Sequence, residues 1–272
     1  MIPTELFHYT SANTAIKKIL RNQQIKIGLM KYVNDPRESK DWALLPKFTG
    51  IPTDSLPTNE ISVNREFTRI KQEEWKVVCF TVSDPKYKRY PKSKVDEGFL
   101  YGACKPRMWA SYADNHKGVC LKFNGMEFDK QIRINPKKTS KNRKVFCGKV
   151  KYFDHGDTLD SISIDHIELS RTAFSKGIRH HLLRYYKFFF LLKSKDWKTE
   201  SEFRWLVQDE NKEAELLPIQ GIVEEVIVGF DFPKMYYPTL IELCGLLHIH
   251  IREIIWRNGF PFVSDYIQRN NK

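Results

Sequence analysis

Residues 5–30, ELFHYTSANTAIKKILRNQQIKIGLM, read as strand, capped helix and strand within one short run, and that order decides the fold class. Glu5 to Thr10 alternates as a strand, with Phe7 and Tyr9 on one face and His8 and Thr10 on the other. Ser11 is a good N-cap. A helix is expected from Ala12 to Arg21, because Ala15, Ile16, Ile19 and Leu20 recur on one face. Gln24 to Met30 then reads as a strand, with Ile25 and Ile27 together.

The same vocabulary continues outward. Asn34-Asp35-Pro36 predicts a turn with a side-chain cap. Lys47 to Asn64 is rich in Pro, Thr, Ser and Asn and reads as a surface loop. A polar helix follows at Val63 to Trp75, then a buried strand at Lys76 to Val82. Phe99 to Asn115 is expected to be helical and stopped by Gly118. Strands are expected at Val119 to Phe123 and at Val145 to Phe153. Ile162 to Leu192 reads as one long helix or two. Strands follow at Glu202 to Gln208 and Val223 to Phe230, then a helix at Tyr237 to Leu247 and a closing strand at Ile249 to Trp256. Strands and helices alternate without a strict βαβ rhythm. The expectation is one α+β domain over residues 1–272, a mixed or antiparallel sheet with flanking helices and a helical insertion at about 157–196.

The chain has 272 residues, 45 Lys and Arg against 33 Asp and Glu, and a formal net charge of +12. That excess favours an anionic partner without choosing which. Cys79, Cys104, Cys120, Cys147 and Cys244 are scattered with no CxxC pair, which argues against a zinc site or a disulfide framework. No metal is expected; His180 and His181 are adjacent and diverge on a helix. Met1 to Glu5 lacks the basic start and apolar run of a secretory signal. The longest apolar stretch, Phe188 to Leu192, is too short to span a bilayer. A cytoplasmic protein with no membrane partner is expected.

Four blocks carry chemistry-bearing residues. On the first strand, His8 either hydrogen-bonds a ligand or is a satisfied core histidine, and Thr10 beside it either joins that ligand or helps cap the helix. In Glu200-Ser201-Glu202-Phe203-Arg204, strand alternation puts Glu200, Glu202 and Arg204 on one face and Phe203 and Trp205 on the other. Two carboxylates beside a guanidinium are costly to bury unless paired or bound; were the segment helical, Glu200 and Arg204 would be an ordinary surface pair. Trp109, Tyr112 and His116 would form one helical stripe, either core or binding face. The basic segments 86–94 and 137–151, interleaved with Tyr87, Tyr90, Phe146 and Tyr152, suit phosphates and stacked bases or are simply solvated faces.

In order along the chain, the Phe7–Ser11 start, Asn34-Asp35-Pro36-Arg37-Glu38, Met108 to Gly118, and Trp197, Glu200, Glu202, Phe203 and Arg204 resemble a bacterial family known as domain of unknown function 2971. The two ends also resemble the ADP-ribosyltransferase superfamily: an aromatic-His-x-Thr first strand with a following helix, and a late Glu-x-Glu strand. That second resemblance implies an ADP-ribosyltransferase-like fold and NAD as substrate. His8 would hold NAD with Thr10 beside it, Glu202 would be the catalytic glutamate, and Glu200 would orient the acceptor. Tyr112 or Tyr32 would stack on nicotinamide. Arg204 or a basic-loop residue would hold the pyrophosphate, since Arg contacts phosphate bidentately. It further implies a toxin or phage-defence effector modifying RNA or DNA presented on the basic loops; separately, the basic character of the chain leaves an acidic partner such as an antitoxin as a third alternative. The alternatives are an NAD glycohydrolase and a non-catalytic nucleic-acid-binding module.

Overall fold

The computed structural model describes residues 1–47, 60–89, 98–134, 142–153, 163–165, 169 and 173–266. Most of the predicted loop at 47–64, much of both basic segments and parts of the predicted insertion lie outside them. Fourteen strands occur in the described residues: β1 (Glu5–Thr10), β2 (Gln24–Leu29), β3 (Leu45–Lys47), β4 (Trp75–Thr81), β5 (Val119–Asn124), β6 (Lys144–Lys149), β7 (Lys151–Phe153), β8 (Ser163–Asp165), β9 (Leu192–Ser194), β10 (Glu202–Gln208), β11 (Glu215–Pro218), β12 (Val223–Val228), β13 (His250–Arg257) and β14 (Phe260–Asp265). Ten of them form one sheet, which is mixed because β12 and β13 run parallel while its other pairs are antiparallel. Short pairs β3–β8 and β7–β9 stand apart. Among the described residues the sheet does not close into a barrel, so the α+β expectation holds in its coarse form.

Period-two alternation divides the core. Leu6, Val78, Phe80, Leu121, Phe203, Trp205 and Val207 point to one face. There they meet the first helix (α1, Ala12–Thr14, continued as a π-helical stretch over Ala15–Leu20). Ser11 caps it as expected, its hydroxyl accepting from the Thr14 N–H at 3.2 Å. The other face carries two apolar clusters. One gathers Val77 and Leu206 with α3 (Glu60–Glu73), α6 (Phe174–Arg184) and α7 (Tyr186–Phe190). The other gathers Phe7, Tyr9 and Cys120 with α4 (Pro106–Tyr112). Each fully buried Phe or Leu stabilises the fold by about 1.5–3 kcal/mol. Between these two clusters the sheet face turns polar, and the candidate site lies there.

Two helical expectations are corrected. Instead of a helix over 99–115, α4 starts at Pro106, which fits a first-turn position but would clash and lack an N–H inside a longer helix. After Tyr112 the chain turns left-handed at Asp114, Asn115 and His116 (φ 48°, 48° and 70°). The aromatic stripe therefore breaks: Trp109 is buried and donates to the Ala103 carbonyl at 2.8 Å, whereas His116 packs on Phe230. Instead of one or two helices filling 162–192, the chain forms β8, α6 and α7, with Tyr185 (φ −109°, ψ 21°) interrupting the last two. One strand lies beyond the last expected one: β14 returns antiparallel on β13.

Gly118 acts by proximity rather than as a left-handed helix stop. A Cβ there would lie 2.2 Å from the Thr10 carbonyl oxygen and 2.8 Å from Ala113 backbone atoms. Since both neighbours are backbone, Gly118→Ala is expected to cost about 2–3 kcal/mol, read as a lower urea midpoint at unchanged slope.

Candidate functional site

The site exists because the sheet opens. Along its whole length β4 pairs with β10, from Glu202↔Thr81 to Gln208↔Trp75. Its other edge is shared: β1 reaches it only at Phe7↔Thr81, and β2 only at Gly28↔Val77 and Leu29↔Lys76. Val78, Cys79 and Phe80 thus have no described strand partner on that edge. The His8 ring fills part of the deficit, its Nδ1 lying 3.2 Å from the Cys79 carbonyl oxygen. A carbonyl only accepts, so Nδ1 carries the proton and Nε2 is left as an acceptor. Burial pushes the His8 pKa down, outweighing the Cys79 contact, and the ring is neutral at pH 7.

A cavity of about 330 Å³ occupies this opening. Its wall includes His8, Tyr32, Tyr112, Glu200, Glu202 and Arg204. Strand register puts Glu202 on the face of Thr81 and Phe7, and His8 on the face of Leu6 and Phe80. The two side chains border one cavity only because no strand separates them there.

The floor is an ion-pair network. Arg204, 1% exposed, grips Glu202 with Nε to Oε1 at 3.0 Å and Nη2 to Oε2 at 2.8 Å. Its Nη1 donates to Glu38 Oε1 and, at 2.8 Å, to the Phe190 carbonyl. Lys193 Nζ lies 2.9 Å from Glu200 Oε2 and 3.1 Å from Glu202 Oε2. The Tyr112 hydroxyl donates to Glu200 Oε1 at 2.7 Å, and the Glu202 N–H donates to the Tyr152 hydroxyl oxygen at 2.9 Å.

Three buried carboxylates of the cavity wall thus meet two buried cations of that wall, and Lys71, fully buried, adds a third positive charge behind Glu38. Burial alone would raise Glu202, but Arg204 and Lys193 outweigh it and hold its carboxyl at about 2. Burial keeps Glu38 raised above the usual carboxylate range despite Arg204. Burial also pushes the Cys79 thiol well up, so it is no thiolate nucleophile. Among the described residues, two buried polar atoms on the cavity lining have no hydrogen-bond partner: Glu38 Oε2 and Thr81 Oγ1.

Three sequence expectations change. Thr10 is buried but does not border the cavity. Glu200 is not on the strand; it ends a 3₁₀ turn (Lys195–Glu200), and Ser201 in the left-handed region (φ 47°) swings it back beside Glu202. Arg204 has its guanidinium committed to Glu202, Glu38 and Phe190, so it positions carboxylates rather than reaching a pyrophosphate. Glu38, Lys193 and Thr81 went unassigned in the sequence. Glu38 lies in the Asn34–Glu38 block, but nothing in the local sequence tells that it meets Arg204. Within the basic segments, Arg143 is likewise committed, to Glu215 at 2.8 Å.

Residues 108–205 match the model of a family described as a protein of unknown function, DUF2971. The matched segment runs from α4 into β10 and contains Tyr112, Lys193, Glu200, Glu202 and Arg204. The resemblance to domain of unknown function 2971 is shown on that segment, whereas no match supports the ADP-ribosyltransferase resemblance. No curated protein and no solved structure matches the chain. Among the described residues, no helix is long and apolar enough to cross a membrane, and no group of three or more His, Cys, Asp or Glu is arranged for a metal ion.

Proposed function

We propose that the protein is an ADP-ribosyltransferase-like enzyme that cleaves the nicotinamide–ribose bond of NAD and passes ADP-ribose to a nucleic acid or to water. The observation that carries the reading is one cavity bordered by His8, Tyr112, Glu200 and Glu202, with Lys193 bridging the two carboxylates and Arg204 holding Glu202. Leaving-group departure creates an oxocarbenium-like ribose, and an ionised carboxylate fixed beside it stabilises that charge. Glu202 meets the requirement because Arg204 and Lys193 keep it ionised. The neutral His8 offers Nε2 to a ribose hydroxyl. Nicotinamide in NAD is a cationic ring and is attracted to an aromatic face. Tyr112, fixed by its bond to Glu200, supplies that face, with Tyr32, 70% exposed, at the rim. The cavity would take the nicotinamide riboside end, and Lys26, an exposed residue of its wall, would meet the phosphates. A net charge of +12 suits an anionic acceptor, of which a nucleic acid is one.

The test is transfer of label from adenine-labelled NAD to RNA, single-stranded DNA and cell protein, with nicotinamide followed in parallel. Label in one macromolecule establishes a transferase and names its acceptor class. Nicotinamide without label means hydrolysis, and no nicotinamide from folded protein overturns the reading. His8→Ala is expected to raise KM for NAD about tenfold, the worth of one lost hydrogen bond. An unchanged KM would remove His8 from the binding site.

A further inference from the structure

We infer that Glu38 is the proton acceptor of the transfer step, its Oε2 taking the proton of the attacking hydroxyl or water while Glu202 faces the ribose. The inference rests on the NAD reading above and moves the acceptor-orienting role away from Glu200. Five of the six oxygens on the three buried carboxylates have partners. Arg204 and Lys193 take those of Glu202, Tyr112 and Lys193 take those of Glu200, and Arg204 takes Glu38 Oε1. Glu38 Oε2 has none, although Glu38 is 1% exposed and borders the cavity. A buried carboxylate oxygen is costly to leave unmatched unless a ligand supplies the donor.

The backbone around Glu38 is pinned on both sides. Asp35 caps α2 (Pro36–Ser39) by accepting from the Arg37 N–H at 2.9 Å. The Arg37 guanidinium lies among the rings of Trp42, Phe153 and Phe188, about 5 Å from each centroid. It also donates to the Phe188 and Leu192 carbonyls. Lys71, fully buried, donates to the Glu38 and Lys40 carbonyls at 2.7 and 2.9 Å. Such support is what an acid–base group needs to meet a substrate atom reproducibly.

The step balances without a further reactant. A lone pair on the acceptor oxygen forms the bond to ribose C1′. The electron pair of the glycosidic bond leaves with nicotinamide, which departs neutral. The acceptor proton passes to Glu38 and from there to solvent. Burial, which raises Glu38, brings its affinity for protons nearer the working pH. The charged groups facing it are Arg204 and Glu202 from β10, Lys193 from β9, Lys71 from α3, and Asp35 and Arg37 from its own segment.

Azide separates a base from a structural prop, because it attacks as an anion and has no proton to lose. Glu38→Gln is expected to lower kcat about 100-fold, with KM for NAD little changed and the acid limb of the pH profile gone. Azide should restore nicotinamide release and yield ADP-ribosyl azide. It should not restore Glu202→Gln. Should Glu38→Gln unfold, Glu38→Asp keeps a carboxylate near Arg204 but withdraws it from the acceptor, and azide should restore that variant too. A Glu38 variant that melts as wild type yet stays slow with azide, or that keeps the full rate, overturns the assignment. If wild type releases no nicotinamide at all, the NAD reading itself falls, a distinguishable failure.

Discussion

Glu202→Gln is expected to lower kcat for nicotinamide release by about 10²–10³ while KM for NAD changes little. The substitution keeps the shape of the side chain and removes only its charge. Arg204 retains Glu38, and Lys193 retains Glu200, so the fold survives. Stability should nevertheless report the loss. A carboxyl held at about 2 rather than 4.5 contributes about 3 kcal/mol at neutral pH. The folded pKa is depressed, so this contribution is complete above about pH 4.5 and disappears as pH falls toward 2. Urea unfolding of both proteins should differ most at pH 7 and converge near pH 2. A variant as active as wild type would eliminate Glu202 as the catalytic carboxylate.

Arg204→Met should have the largest effect on stability. It leaves Glu202 and Glu38 buried without their guanidinium and the Phe190 carbonyl without a donor. Breaking a buried ion pair from one side costs about 3–5 kcal/mol, because the remaining charge is uncompensated. For a chain of this size that corresponds to a fall in Tm of about 10 °C. Adding Glu38→Gln and Glu202→Gln should recover part of the loss, since the stranded charges then disappear. A single Arg204→Met variant melting within 2 °C of wild type, by about 1 kcal/mol, would show that the network does not hold the floor. Arg204→Lys is expected to fail as well, because an ammonium cannot make the paired contact to Glu202.

The parts of this architecture that were readable are those with strong local periodicity. Glu202–Gln208 and Tyr237–Leu247 fall where the sequence places them. Alternation correctly separates Glu202 and Arg204 from Phe203 and Trp205. The β13–β14 hairpin carries a local sign: Asn258-Gly259 adopts positive φ at both residues (51° and 81°), as a two-residue hairpin turn demands. Pro106 likewise marked the true start of α4. Ser201 carried no such mark, because serine has no preference for the left-handed conformation it adopts there.

By itself, then, the sequence determined which segments extend or coil, which residues each strand turns inward, and that His8, Tyr112 and the Glu-x-Glu pair are unusual polar groups beside apolar runs. Tertiary structure alone decided that β1 and β2 divide one edge of β4 and leave an opening between them. It also decided that Arg204 meets Glu38, 166 positions away, and that one carboxylate oxygen of six stays unmatched. Periodicity reports the environment of a residue along its own element. Pairing between distant elements depends on register and on the competition of charges for partners, and neither is written in local spacing.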